Sequence, residues 1–185
     1  MLRTLRIVLL GLAVLAGAPR SAHADLTAFI GAAFSGKPDD AVAGDSHTTL
    51  ARGLSVGFGL LIVGFEFEWS ATHGEEPGDG TCVIGTIRGS CAPSLTTAMG
   101  NVLLQTPRGL GPVQIYGTVG AGGYRERYDA IDASTTSVGT NVGGGVKINL
   151  LGPLRVRVDY RVFKLSGDAV HSTPQRLYIG ANLAF

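Results

Sequence analysis

Residues 175–185 read QRLYIGANLAF: Leu177, Ile179, Ala181, Leu183 and Phe185 are apolar, while Arg176, Tyr178, Gly180 and Asn182 fall between them. A strand sends successive side chains to opposite faces, so this segment has one greasy face and one mixed polar face and stops on an aromatic residue. The same alternation runs through Val63, Phe65, Phe67 and Trp69 against Gly64, Glu66, Glu68 and Ser70. It returns in Leu154, Val156, Val158, Tyr160 and Val162 against Arg155, Arg157, Asp159, Arg161 and Phe163. Repetition is what makes a weak pattern informative, because a single alternating segment fits many sheets.

Strand-like segments fall at 26–35, 48–59, 61–72, 94–106, 112–127, 136–150, 153–165 and 175–185. That count of eight is even, as a closed antiparallel barrel requires. The connections alternate in length. Those near 59–61, 107–112 and 150–153 are tight and carry Gly or Pro, whereas 36–47, 73–93, 128–135 and 166–174 are longer and polar. Short inner turns alternating with long outer loops is the outer-membrane arrangement, with both chain termini expected on the periplasmic side. The segments are also longer than the usual five or six residues of a soluble sheet and suit a tilted bilayer crossing. Glycines crowd the mixed face at 57, 59, 120, 122, 143 and 145, which suits a narrow lumen. The competing architecture is a soluble sandwich or a lipocalin-like barrel with its greasy side inside.

The amino-terminal segment fits export. Arg3 and Arg6 precede an apolar run over 7–18, and Ala22-His23-Ala24 has the small residues of a signal-peptidase site. The run is about a dozen residues, short of the roughly 20 a spanning helix needs. The expected organisation is a removed signal over 1–24 and one barrel domain over 25–185. Removing the signal leaves 12 Lys/Arg against 14 Asp/Glu, with no basic patch to recommend nucleic acid as a partner.

The stretches GTVGAGGY at 117–124, LRVRVDYR at 154–161 and LYIGANLAF at 177–185 resemble the small outer-membrane β-barrel proteins of the OmpA/OmpX and opacity-protein type. The resemblance covers the whole chain after the signal, but its motifs describe a fold. It implies an all-β, eight-stranded transmembrane barrel in the outer membrane of a Gram-negative bacterium. It also implies insertion by the barrel assembly machinery through Leu177, Ile179, Ala181, Leu183 and Phe185, while the peptidoglycan-binding part of the OmpA resemblance is not expected here. Family members act in adhesion, envelope structure or host interaction, so the resemblance narrows function little.

Candidate functional residues concentrate on the mixed face. Glu66, Glu68, Glu126 and Asp159 are matched there by Lys147, Arg155, Arg157, Arg161 and Arg176. Charge inside a membrane barrel must be paired or hydrated, and the planar arginine fork suits carboxylates. The expectation is an ion-pair network that fills the lumen; the runner-up is a narrow channel for ions or small solutes. Cys82 and Cys91, both in the longest loop, are expected to form a disulfide in an exported chain. His47, His73 and His171 lie at outer loop edges, and no metal or other cofactor is expected. His171-Ser172 is similar to the His/Ser pair of the outer-membrane lipid A deacylases, but those enzymes space the two residues so that both face the same way, whereas neighbours on a strand face oppositely, and no enzymatic activity is expected. Trp69, Tyr124, Tyr128 and Tyr160 are candidates for an interfacial aromatic girdle. Acids at 39, 40, 45, 75, 76 and 79 are expected to solvate the first two outer loops. The expected partners are outer-membrane lipid and lipopolysaccharide, with an extracellular or host ligand at the loops and the chain acting as a monomer.

Overall fold

The computed structural model describes residues 22–35, 47–60, 62–73, 94–107, 111–128, 133–166 and 173–185. They form eight strands: β1 (Ala22–Ser35), β2 (His47–Leu60), β3 (Val63–Thr72), β4 (Ser94–Gln105), β5 (Val113–Tyr128), β6 (Ala133–Leu151), β7 (Leu154–Leu165) and β8 (Gln175–Ala184). Each pairs antiparallel with its sequence neighbour, and β8 returns to β1, so the sheet closes with no free edge. Among the described residues there is no helix long and apolar enough to cross a membrane.

Closure extends β1 beyond the sequence expectation. Ala24 and Phe185 exchange backbone hydrogen bonds of 3.3 Å and 2.9 Å, and pairing with β2 carries β1 back to Ala22. At the same end, β6 and β7 meet through a register shift between Asn149 and Leu151. The turn after it needs Gly152, whose φ of 57° lies in the left-handed region that other residues enter at a cost.

The distribution of side chains is inverted relative to a soluble sheet. Among the described residues, 20 buried positions are polar or charged and 10 are hydrophobic, while 25 large hydrophobic side chains are exposed. Leu54, Phe58, Phe65, Phe67, Val119, Val142 and Ile179 all stand outward from the wall. A continuous exposed apolar surface of this kind is unstable in water, and hydrocarbon is the solvent it fits. The greasy faces of β3, β7 and β8 point outward as their alternation requires, which excludes the lipocalin-like arrangement.

Candidate functional site: the charged barrel interior

Period-two alternation on β7 sends Arg157, Asp159 and Arg161 inward together, each almost fully buried. Asp159 sits between the two arginines. Arg157 Nη2 donates to its Oδ2 at 2.9 Å and Arg161 Nε to its Oδ1 at 2.9 Å. β3 lies four strands away around the wall, so Glu66 and Glu68 approach the same arginines across the diameter. Arg157 pairs with Glu66; Arg161 reaches Glu66 Oε1 at 2.6 Å and Glu68 Oε2 at 3.0 Å. Arg161 therefore touches three carboxylates and is the centre of the network.

Neutral groups complete it. Asn101 Nδ2 donates to Glu66 Oε1 at 3.3 Å, Ser55 Oγ to Glu66 Oε2 at 3.2 Å, and Asn141 Nδ2 to Asn101 Oδ1 at 2.8 Å. The Tyr116 hydroxyl donates to Asp159 and accepts from Arg157 Nε at 2.6 Å. Arg176 on β8 pairs with Glu68 and donates to Ser70, its guanidinium lying 4.9 Å from the Phe163 ring centroid and 5.2 Å from that of Phe29. Such ring faces stabilise a desolvated cation. Space for these side chains comes from glycine on neighbouring strands. A Cβ at Gly143 would stand 2.8 Å from Arg161 Cγ, and one at Gly145 2.6 Å from the Tyr116 hydroxyl oxygen.

The two ends differ. Toward the tight turns, Lys147 Nζ binds Asp25 Oδ2 at 2.6 Å, with Arg155 at 3.9 Å from the other oxygen. Toward the long loops, Met99, Tyr124, Phe163 and Leu165 pack as an apolar layer across the lumen, with Leu95 against it. Glu126 is buried near that end on β5.

Two readings of the residues need correction. Lys147 takes its partner from Asp25 on β1, which was not among the expected lumen acids. Tyr124 is no part of a girdle: its ring is buried and its hydroxyl donates to the Ser166 carbonyl at 2.6 Å. Trp69 and Tyr160 do face outward. Tyr116 and Tyr178 are further interior aromatics, with Tyr178 stacked on Phe29 at a centroid distance of 4.1 Å. Among the described residues no cluster of His, Cys, Asp and Glu could hold a metal ion, and His73 Nε2 lies 3.5 Å from Arg52 Nη2. Cys82, Cys91, His171 and the six loop acids lie outside the described residues, as do residues 1–21.

A closed eight-stranded barrel with an apolar exterior and a buried charge network is the architecture of a small outer-membrane protein. Residues 6–185 match the outer membrane protein beta-barrel domain. The chain belongs to this family. Family membership makes it a bacterial outer-membrane protein that crosses the bilayer with eight strands. Its fold is that of solved barrels of low sequence identity. Neisserial surface protein A superposes with a TM-score of 0.62 at 15% identity, covering 89% of this chain and 97% of that one. The N-terminal β-barrel domain of Pseudomonas aeruginosa OprF gives 0.59 at 13%, over 88% and 97%. Ail, the attachment invasion locus protein of Yersinia pestis in complex with the heparin analogue sucrose octasulfate, gives 0.59 at 16%, over 89% and 99%. No curated protein matches the chain.

Proposed function

We propose that the protein is a non-conducting, non-enzymatic membrane scaffold that presents its long outer loops at the cell surface, for recognition or adhesion and for structural support of the envelope. The observation that carries this reading is the interior. All five described acids, Asp25, Glu66, Glu68, Glu126 and Asp159, are buried, and five cations, Lys147, Arg155, Arg157, Arg161 and Arg176, face them. An eight-stranded barrel has room for side chains and little else. With the charges balanced and tied across the diameter, and the apolar layer of Met99, Tyr124, Phe163 and Leu165 above them, the lumen is a packed core. Variable function in such a barrel is then left to the loops, the usual carriers of binding on a rigid scaffold. The attachment named for Ail supports adhesion as an analogy of fold alone.

In this reading residues 1–24 are a signal removed on export, which takes Ala22–Ala24 off the end of β1 and leaves its pairing with β8 to begin at Asp25; Cys82 and Cys91 form a disulfide that restrains the longest loop, and the barrel is a monomer. The outward row Leu177, Ile179, Ala181, Leu183 and Phe185 is the insertion signal for the barrel assembly machinery. Planar-bilayer recording of the purified protein tests the scaffold: no unitary conductance is expected, whereas Arg157→Ala should open measurable current. Large stepwise conductance from the unaltered protein would replace the scaffold with a channel.

A further inference from the structure

The tight-turn end of the lumen holds a recess that the ion-pair network does not fill. Its walls include Gly57, Gly59 and Gly64 on β2 and β3, together with Asp25, Gln105 and Lys147. Glu66 borders it from the deep side, where Arg157 and Arg161 hold that carboxylate. Glycine leaves room there for polar groups of other strands: a Cβ at Gly59 would stand 2.8 Å from Gln105 Nε2, and one at Gly64 3.7 Å from the same nitrogen. The space amounts to about 10 Å³, room for one oxygen-sized group.

The groups at this end are mostly donors. Lys147 Nζ is bound to Asp25 Oδ2 at 2.6 Å, whereas Arg155 Nη1 stands 3.9 Å from the other carboxylate oxygen, is buried and makes no hydrogen bond. Arg155 lies two residues nearer the tight turn than Arg157, so it belongs to the mouth of the lumen and not to the network above. Removal of residues 1–24, on the reading of the signal given above, changes this mouth twice. His23 shares the inward face of β1 with Asp25 and pairs with Gly59 of the recess wall, and it leaves with the signal. Asp25 gains a free α-ammonium, its backbone nitrogen standing opposite Gly57 of the same wall. Three cations, Lys147, Arg155 and the new terminus, then share the Asp25 carboxylate at an uncovered mouth, Glu66 being held by its own arginines.

We propose that signal removal turns this end of the barrel into a binding site for an oxyanion presented from the periplasm, a carboxylate or phosphate group that places one oxygen in the recess beside Lys147, Arg155, Gln105 and the Asp25 α-ammonium. Charge selects the ligand: cations in excess at a partly desolvated mouth favour an anion, and hydrogen bonds between ionised groups are the strong ones. Arg155 brings a donor with no partner of its own, on a guanidinium fork that matches either oxyanion. Size selects the mode, because a recess with room for one oxygen takes the end of an anionic group and leaves its remainder outside. The site lies below the packed network, so it stands apart from loop recognition and from conduction, and it rests on the reading of residues 1–24 as a removed signal.

The test compares the mature chain begun at Asp25, refolded in detergent micelles, with one begun at Ala22, which keeps His23 at the mouth and moves the ammonium three residues away. Acetate and inorganic phosphate are the probes, chloride at matched ionic strength is the control, and binding is read from NMR shifts of Lys147, Arg155 and Gly59. Saturable shifts with acetate or phosphate, and none with chloride, are expected in the mature chain. Arg155→Gln should weaken binding about tenfold, the equivalent of one charge-assisted hydrogen bond. Gly59→Ala, whose methyl fills the recess without changing charge, should weaken it comparably while the unboiled protein keeps its compact gel mobility. No saturable shift in the mature chain, or affinity unchanged in both variants, overturns the site. Equal binding by the chain begun at Ala22 overturns the role of processing. Should Arg155→Gln not fold, Gly59→Ala decides alone. The signal reading is tested separately by the mass of the protein isolated from outer membranes: a mass that retains residues 1–24 overturns that reading, and this proposal with it, whatever the refolded chain binds.

Discussion

Arg157 and Val158 are consecutive residues of β7, yet one is 1% exposed inside a salt-bridge network and the other helps cover the lipid-facing wall. The two faces of the same strand obey opposite rules. Inside, side chains are held by partners specific in position and sign; outside, the requirement is met by any apolar group of suitable size. Specificity is therefore concentrated in the lumen, where charge without a partner is costly. The apolar outer positions are interchangeable by comparison.

The difference can be broken most severely at Arg161. Arg161→Ala would take one cation from Glu66, Glu68 and Asp159 at once, leaving Arg157 to Glu66 and Asp159 and Arg176 to Glu68, and removing one partner of a buried pair costs about 3–5 kcal/mol. The expected result is a lower urea midpoint for unfolding from detergent micelles, or failure to reach the compact form on an unboiled gel. Outside, Ile179→Arg puts a charge where the wall meets hydrocarbon and should cost about 2–4 kcal/mol in lipid vesicles. A conservative change to Val or Leu there should be nearly silent in the same assay. The adjacent glycines 122 and 123 sharpen the contrast further. A Cβ on inward Gly122 would stand 2.8 Å from the Met99 Cα, so Gly122→Ala should lower the unfolding midpoint by an amount equivalent to about 1–3 kcal/mol. Outward Gly123→Ala should shift it by less than about 0.5 kcal/mol. Equal effects at 122 and 123 would show that the faces are not as different as their surroundings imply.

Much of this was legible in the chain. The alternation of Val63 to Ser70, Leu154 to Phe163 and Leu177 to Phe185 already assigned the faces of β3, β7 and β8, because period two is a local property of extended backbone. Tyr124 was legible too, but only by parity: it stands two residues from Gly122 and two from Glu126, both inward, and residue type alone misplaces it at the membrane interface. Asp25 was hidden for a different reason. It sits at the boundary of the expected signal, and its partner Lys147 is 122 positions away. The apolar layer of Met99, Tyr124, Phe163 and Leu165 draws on three strands, so no single strand's pattern announces it.

Which residues of a strand share a face was already written in the chain, since a strand's two faces follow from backbone geometry before any strand has found a neighbour; that the apolar face is the outer one came from the burial in the closed barrel. Only the closed barrel decided which interior charges meet. Glu66 and Arg157 are 91 positions apart, Glu66 and Arg161 are 95, and Glu68 and Arg176 are 108. Those pairs form across a diameter that exists only once β8 has closed on β1, and electrostatic attraction in a desolvated interior depends on that distance, which sequence spacing does not encode.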